Sequence, residues 1–247
     1  MANWLTATVV ERHQWNSRLC SLKLDLVLPP FEAGQFVSLG LEIDGKAVLR
    51  PYSLVNAPEA ELHEIFFNRV PDGPLSNKLF NLKPGSTLLS APRVGGFFTL
   101  SQVPAAQYLW LCATGTAIGP YLSMLRTPEP WESFERVTLL HGVRDHSEMT
   151  YLNVLQEIKL RHSHQFDFFH SVTRETNTLH FTQRIPELLD TGELENAVGL
   201  TLDAETSQVM LSGNSGMVNG CVAALTARGF KKNQRRDPGQ ITIEIYQ

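Results

Sequence analysis

The sequence predicts a two-domain protein, in which an N-terminal six-stranded antiparallel β-barrel is followed by a C-terminal α/β domain with a five-stranded parallel sheet. The length of 247 residues corresponds to one or two domains of ordinary size. Before about residue 100, short segments rich in Val, Leu and Phe are separated by turn residues. After it, apolar segments alternate with helical patterns, which is typical of a parallel sheet covered by helices. The predicted domains are therefore residues 1–100 and 101–247, joined by a linker at 101–107.

The N-terminal segments are short enough, and punctuated often enough, to favour a closed antiparallel barrel. The predicted strands are Leu5–Val10, Leu19–Leu26, Phe36–Leu41, Val48–Val55, Leu62–Val70 and Thr87–Ala91. Turns separate them at Pro29–Pro30, Asp44–Gly45 and Lys83–Gly85. One short helix is expected at Ser76–Asn81, directly after the turn Asp72–Pro74.

The C-terminal half repeats a strand-then-helix order. The predicted strands are Tyr108–Ala113, Val137–Gly142, Phe166–Ser171, Gln208–Leu211 and Ile241–Tyr246. The predicted helices cover residues 117–126, 149–161, 185–189 and 215–228. Near-continuous apolar strands of this kind are buried on both faces, as in a parallel sheet.

Composition excludes several classes of protein. Lys and Arg number 21 and Asp and Glu number 25, so the net charge of −4 argues against a general nucleic-acid binder. Three cysteines, Cys20, Cys112 and Cys221, lie far apart, which predicts no zinc site and no iron–sulfur cluster. We expect them to be reduced thiols in a cytoplasmic protein. Neither a signal peptide nor a run of about 18 apolar residues that could span a membrane is evident.

A glycine loop lies between the first parallel strand and its helix. Gly115 permits a tight turn, and the backbone N–H groups that follow it lie at a helix N-terminus, which suits a pyrophosphate. The spacing from Gly115 to Gly119 is neither G-x-G-x-x-G nor a P-loop. An ordinary tight strand–helix turn is the alternative interpretation.

Three arginines follow the next two parallel strands. Arg144 stands where an NAD site would carry an acidic residue, and a guanidinium there favours a 2′-phosphate because it can pair with it bidentately. Arg174 and Arg184 follow the third strand, and the carboxyl ends of parallel strands share one edge. We expect the three to converge on one phosphate, the alternative being three solvated surface arginines.

Two segments of the barrel half carry further candidates. In Arg50–Ser53, Arg50 is suited to a diphosphate, Tyr52 to an aromatic ring and Ser53 to a ring nitrogen. An edge strand containing a proline and a core tyrosine is the alternative. The segment Phe66–Ser76 leads through a turn into a second helix N-terminus that is suited to an anion.

Taken together, these residues resemble bacterial ferredoxin/flavodoxin–NADP⁺ reductases, a branch of the plant-type flavoprotein reductases, over nearly the whole chain. The matching segments are Arg50–Ser53, Val70–Ser76, Ala113–Pro120, Val209–Asn214 and Pro238–Tyr246. The resemblance implies a FAD-binding barrel and an NADP-binding α/β domain. It also implies transfer of a hydride between NADP(H) and FAD N5, coupled to one-electron exchange with a small redox protein.

The resemblance assigns roles residue by residue. It implies that Arg50 and Ser76 hold the FAD pyrophosphate, that Tyr52 packs on the isoalloxazine and that Ser53 acts at flavin N5. The implied FAD contacts are Arg50, Pro51, Tyr52, Ser53, Phe66, Asn68, Pro74, Leu75, Ser76, Thr116 and Tyr246. The implied NADP contacts are Thr114, Gly115, Arg144, Arg174, Arg184, Gly213, Asn214 and Met217. Ser53, Ser212 and Glu244 are the implied catalytic residues, and no metal is implied.

This chain departs from the family pattern at two places. Ser212 stands where many relatives have Cys beside the nicotinamide, so we expect slower hydride transfer. Tyr246 is the aromatic residue available to cover the flavin, whereas Gln247 occupies the position of a Trp in some relatives. Glu244 matches a family carboxylate near the nicotinamide, with a solvent-facing strand residue as the alternative.

Because no metal cluster is predicted in the chain, the one-electron acceptor should be another protein, either a ferredoxin or a flavodoxin. We expect this chain to be a monomer and to bind that partner transiently. The basic run Lys231, Lys232, Arg235 and Arg236 is suited to steer an acidic partner. A solvated loop, or contacts to nucleotide phosphate, is the alternative for that run. For the whole chain the alternatives are a reductase component of an oxygenase, a free-flavin reductase and a non-catalytic nucleotide-binding module.

Overall fold

A computed structural model of the protein describes residues 4–176 and 180–246. Its strands form one six-stranded antiparallel sheet and one five-stranded parallel sheet, which confirms the predicted fold class. The chain divides into two units. The first comprises the chain up to Thr99 together with Gly119–Thr127, and the second comprises Leu100–Ile118 and the chain from Pro128 onward.

The first unit is built on the antiparallel sheet. Its elements are β1 (Leu5–Gln14), β2 (Leu19–Asp25), β3 (Phe36–Ile43), β4 (Lys46–Ser53), β5 (His63–Asn68), α1 (Pro74–Phe80), β6 (Thr87–Gly95) and α2 (Gly119–Leu125). The strand order is β4-β3-β6-β1-β2-β5. The two end strands meet just beyond β4, where Leu54 bridges Ile65 and the Val55 N–H donates to Glu64 O at 2.9 Å. The sheet is therefore curled into a barrel with apolar side chains inside, among them Leu22, Val37 and Leu39.

Helix α2 packs within the first unit although it follows the glycine loop in sequence. Ser123 Oγ donates to Asn56 O at 2.6 Å, and Arg126 donates to Val55 O at 2.9 Å. Arg126 also lies 3.8 Å from the Glu64 carboxylate. These bonds satisfy barrel carbonyls that follow the last residue of β4.

The second unit is built on the parallel sheet. Its elements are β7 (Tyr108–Thr114), α3 (Glu129–Ser133), β8 (Arg136–Val143), α4 (Leu152–Arg161), β9 (Phe166–Val172), α5 (Ile185–Thr191), α6 (Glu193–Val198), β10 (Ser207–Asn214), α7 (Ser215–Ala227) and β11 (Ile241–Tyr246). The strand order β11-β10-β7-β8-β9 reverses direction between β7 and β10. Ligands of open parallel sheets bind beyond the carboxyl ends of the strands at such a reversal. For this unit, that edge carries Thr114 and Asn214.

Some elements differ from the sequence prediction. The helices α3 and α6 were not predicted, because five or six residues are too few to establish a helical period. Helix α4 begins at Leu152 rather than at Met149, since a 3₁₀ turn at His146–Glu148 and a left-handed Tyr151 with φ 57° precede it. Among the described residues, no helix combines the length and the apolar composition needed to cross a membrane.

Candidate functional site

Strand β4 places the Arg50–Ser53 segment at the edge of the antiparallel sheet. Arg50 is exposed, and its guanidinium donates to Leu49 O at 2.8 Å. Pro51 is exposed opposite Ser38 of β3, a position where the missing N–H of a proline is tolerated. The segment thus presents a cation at the surface of the barrel.

Tyr52 is half-buried and packs on the barrel core. Its ring makes an edge contact with Phe67 of β5 at 5.9 Å between ring centroids. Burial raises the pKa of the Tyr52 phenol to about 12, against the opposing charge of Arg50, so the phenol stays neutral. Ser53 ends β4 opposite Phe36, and a Cβ on Gly119, the first residue of α2, would lie 4.0 Å from Ser53 Cβ.

Phe66 and Asn68 point to the opposite face of β5 from Phe67, as strand alternation requires. Phe66 is buried and makes an edge contact with Trp15 at 6.3 Å. Asn68 Oδ1 is also buried, and within the described residues it has no hydrogen-bond partner. A buried acceptor without a partner is costly unless a ligand or water supplies a donor, so Asn68 marks a candidate ligand contact.

The loop before α1 is held by side chains of the helix itself. Ser76 Oγ accepts a bond from the Val70 N–H at 3.1 Å. Asn77 Nδ2 donates to Val70 O at 3.0 Å and to Gly73 O at 2.7 Å, while Arg69 Nε donates to Asn77 Oδ1 at 2.6 Å. Asn77 and Arg69 are not among the predicted site residues, although a polar side chain in a first helical turn is a known signal of such back-bonding. Of the other candidates here, Pro74 is exposed and Leu75 is buried.

In the second unit, the glycine loop begins where β7 ends. Gly115 has φ +56°, and the turn Gly115–Ile118 is a 3₁₀ turn that contains the half-buried Thr116. Thr114 Oγ1 accepts bonds from the N–H of Asn214 at 3.4 Å and from its Nδ2 at 3.3 Å. The structure therefore brings the ends of β7 and β10 together at the reversal of strand order.

Gly213 is required by the close approach of these two strand ends. A Cβ at this position would lie 2.1 Å from Thr114 Oγ1 and 2.8 Å from Met217 Cε. Asn214 then caps the 13-residue helix α7, because its Oδ1 accepts a bond from the Met217 N–H at 3.0 Å. A long helix that begins at this edge favours an anionic ligand.

Two of the three predicted arginines are joined through their backbones. The Arg174 N–H donates to Arg144 O at 2.9 Å. Arg144 directly follows β8, and Arg174 is the second residue after β9. Arg184 stands just before α5. The next residue, Ile185, lies close to the end of β8, since a Cβ added to Gly142 would be 3.1 Å from Ile185 Cδ1. All three thus follow strands at the carboxyl edge of the sheet, and no hydrogen bond joins the side chains of the three within the described residues.

Two carboxylates that were not among the predicted site residues hold the arginine-bearing segments in place. The buried Glu148 accepts a bond from the Arg144 side chain at 3.0 Å and another from the Arg144 N–H at 3.0 Å. The Glu175 carboxylate accepts a bond from the His146 N–H at 3.0 Å and also contacts the His146 ring. The bonds from His146 lower the pKa of Glu175. The first pairing depends on the 3₁₀ turn after β8, and the second depends on the ends of β8 and β9 lying side by side. Spacing in the sequence shows neither.

A third group lies on the two strands β10 and β11. Ser212 is fully buried and its Oγ donates to Glu244 Oε2 at 3.2 Å, because the two residues are paired in the parallel register. Burial raises the pKa of Glu244 to about 7, while hydrogen bonds from Ser212 and Tyr246 oppose the rise. A carboxyl group with a pKa near neutrality is typical of functional sites. Gln247 lies outside the described residues.

Comparisons with known proteins find two families in the chain, although residues 119–127 of the first unit fall within the second match. Residues 6–97 match the oxidoreductase FAD-binding domain family and residues 111–223 match the oxidoreductase NAD-binding domain family. The chain is 44% identical over 218 residues to a flavodoxin/ferredoxin–NADP reductase of Escherichia coli (strain K12), covering 88% of each chain. It is 38% identical over 248 residues to the enzyme of the same name from Buchnera aphidicola subsp. Baizongia pistaciae, covering 100% of both.

A solved structure is similar over the same extent. The ferredoxin NADP⁺ reductase of Neisseria gonorrhoeae, with bound FAD and NADP, is 30% identical to this chain. It superposes with a TM-score of 0.92 over 99% of both chains.

Proposed function

The chain belongs to the flavodoxin/ferredoxin–NADP reductase family, and on this premise we propose that it is an FAD-dependent reductase acting between NADP(H) and a ferredoxin or flavodoxin. Bound FAD supplies the chemistry that converts hydride transfer into single-electron exchange. The observation that carries the proposal is the pairing of the Arg144 and Arg174 segments at the carboxyl edge of a parallel sheet, in a chain whose other unit carries Arg50–Ser53. The proposed domain limits are residues 1–100 for the flavin and 101–247 for the nucleotide.

The first unit has residues that fit FAD. Asn68 Oδ1 is a buried acceptor without a partner in the part of the chain that the structure describes, and the isoalloxazine ring carries an N–H that such an acceptor binds. The exposed Arg50 guanidinium suits the pyrophosphate, together with the loop that Ser76 closes. The neutral, half-buried phenol ring of Tyr52 suits the flavin ring, and Ser53 beside it supplies a hydroxyl for N5.

The remaining assigned flavin contacts are part of the same proposal. Those in the first unit are Pro51, Phe66, Pro74 and Leu75, and those in the second unit are Thr116 and Tyr246. They are assigned by resemblance, and all except Phe66 lie within the matching segments of the family.

The second unit has residues that fit NADP(H). Backbone N–H groups of the Gly115–Ile118 turn and the start of α7 suit the pyrophosphate. Gly213 allows the close approach there, while Thr114, Asn214 and Met217 form the hydrogen-bonded edge around it. Arg144, Arg174 and Arg184 select the 2′-phosphate of NADP(H) over the hydroxyl of NAD(H).

Ser212 and Glu244 are proposed to act beside the nicotinamide. Ser212 donates its hydroxyl hydrogen to Glu244 and so holds the carboxyl group in one orientation. A pKa of about 7 lets Glu244 hold a proton in part of the population at neutral pH. The hydroxyl of Ser212 is less polarisable than a thiol, so hydride transfer is expected to be slower than in relatives with Cys.

The redox partner is proposed to bind transiently through the basic run before β11. Lys231, Lys232, Arg235 and Arg236 are all exposed, so they are available to an acidic protein surface. We further propose that the protein acts as a monomer in the cytoplasm. All three cysteines are buried free thiols, which supports a reducing compartment.

Anaerobic titration of the purified holoprotein tests the proposal. NADPH should bleach the flavin absorbance at a much lower concentration than NADH, and the reduced protein should then reduce a bacterial flavodoxin or ferredoxin. Co-elution of FAD with the protein on gel filtration separates this function from a free-flavin reductase. A protein that takes up no FAD, or one bleached equally well by both nucleotides, would contradict the proposal.

A further inference from the structure

His141 lies in the interior of the parallel sheet, one strand away from the glycine loop. It is paired with Ala113 in the register of β7 and β8, and its side chain is fully buried. Its Nε2 is 2.9 Å from the carbonyl oxygen of Gly115. Because a carbonyl oxygen only accepts hydrogen bonds, Nε2 must carry the ring hydrogen and donate it.

The His141 ring has a single hydrogen to donate. Burial lowers the pKa of His141 to about 4, against the hydrogen bond to Gly115 and the charge of Glu148, so the ring is neutral at physiological pH. The remaining nitrogen, Nδ1, is buried and has no partner within the described residues. The single hydrogen bond that the His141 ring donates therefore goes to the carbonyl oxygen of Gly115 in the glycine loop.

The Gly115 residue has no side chain to anchor it. A Cβ at Gly115 would meet no atom within 4 Å, so neighbouring side chains do not constrain its left-handed conformation from that direction. The orientation of this peptide group therefore depends on hydrogen bonds, both within the 3₁₀ turn and from outside it. The bond from His141 is a restraint from outside the turn, applied from the buried side of the loop.

We propose that His141 is a positioning residue that fixes the peptide plane between Gly115 and Thr116. In a trans peptide the C=O and N–H bonds point in opposite directions. A Gly115 carbonyl held towards His141 therefore turns the Thr116 N–H to the far side of the loop. This inference rests on the proposed function, in which that N–H is one of the donors to the dinucleotide pyrophosphate.

The role of His141 differs from that of the arginines in its effect on specificity. NADPH and NADH share the pyrophosphate and differ at the 2′-position. Loss of the His141 bond should therefore weaken both nucleotides by the same factor, whereas loss of Arg144 should weaken NADPH alone. The preference for NADPH over NADH separates the two roles.

The test compares four variants of the FAD-loaded protein. His141→Phe removes the donor, and His141→Asn places a shorter amide that ends where Nδ1 stood. Both should raise KM for NADPH and for NADH by the same factor, about fivefold, with kcat nearly unchanged. His141→Gln, whose amide reaches the position of Nε2, should recover most of the loss. His170→Phe is the matched control, since His170 is a buried histidine paired with His141 on β9.

Calorimetric titration gives a readout that is independent of turnover. The Kd of NADP⁺ should rise about fivefold in His141→Phe. Adenosine 2′-monophosphate, which lacks the pyrophosphate, should bind the variant and the wild type equally. A thermal melt of each variant shows whether it is folded, and His141→Asn replaces His141→Phe where the latter does not fold.

The outcomes distinguish failure of this inference from failure of the proposed function. If NADPH does not bleach the wild-type flavin, the proposed function fails. If it does, and the His141 variants keep both KM values, lose only NADPH affinity, or match His170→Phe, the positioning role is wrong.

Discussion

The Arg144 side chain should determine much of the preference for NADPH. It is 39% exposed and gives one nitrogen to Glu148 at 3.0 Å, which leaves further N–H donors of the guanidinium for a phosphate. Hydrogen bonds to charged groups contribute about 1.5–3 kcal/mol, and partial exposure to solvent favours the lower end. Arg144→Ala should therefore raise KM for NADPH about tenfold, since 1.4 kcal/mol is a factor of ten.

The assay is steady-state reduction of ferricyanide by the holoprotein with each nucleotide. KM for NADH should stay at the wild-type value in Arg144→Ala, because the 2′-hydroxyl of NADH offers no charge to the guanidinium. Glu148→Gln should give a smaller rise in KM for NADPH, because it keeps a hydrogen-bond acceptor but loses the charge that holds Arg144. Arg161→Ala is the control, since this arginine lies on α4 and is 73% exposed.

Two results would refute the argument about Arg144. One is an unchanged KM for NADPH in Arg144→Ala. The other is an equal rise for NADPH and NADH, which would place the arginine at a part of the nucleotide that both share. A thermal melt should accompany both measurements, because Arg144→Ala removes a partner from the buried Glu148.

Three further predictions follow from the strand ends. The pKa of Glu244 is raised to about 7, so the folded state binds this proton more tightly than the unfolded state does. The free energy of unfolding should therefore fall as pH rises from about 4.5 to 7. Glu244→Gln should remove that decline, worth up to about 3 kcal/mol, in denaturant titrations at pH 5 and pH 8; parallel pH slopes in both proteins would contradict it. Ser212→Cys should speed flavin reduction by NADPH in stopped-flow absorbance, and a slower or equal rate would count against the role of Ser212. Gly213→Ala should lower the free energy of unfolding by about 2 kcal/mol, because the new Cβ would lie 2.1 Å from Thr114 Oγ1. Adding Thr114→Ala to the same chain should restore part of that free energy. If the double variant is no more stable than Gly213→Ala alone, this explanation is wrong.

The sequence was sufficient for the fold because the two halves have different periods. Strands β8 and β10 each contain a central group of apolar residues, and each is buried along nearly its whole length. The barrel strands end at Gly and Pro turns that are visible in the sequence. The short helices α3 and α6 give no such signal, since each is fixed by packing and by Pro or Gly at its ends rather than by a repeating pattern.

The sequence predicted which residues lie at the candidate sites, but not which side chains contact one another there. Arg144 and Arg174 were placed at strand exits from spacing, and the backbone bond between them confirms that their segments are neighbours. Glu148, which holds Arg144, stands four residues later across a 3₁₀ turn that the sequence does not reveal. His146 and Glu175 meet because β8 and β9 end side by side, 29 residues apart in the chain. Such contacts depend on register and loop conformation, which single residues do not encode locally.

Helix α2 has a consequence for how the protein can be divided. Its residues Ser123 and Arg126 satisfy the carbonyls of Asn56 and Val55. A fragment that stops at residue 100 would leave the carbonyl oxygens of Val55 and Asn56 without these donors, and it would expose one side of the barrel to water. An isolated flavin module should therefore be made by grafting 119–127 back onto the shortened chain through a flexible linker, not by simple truncation.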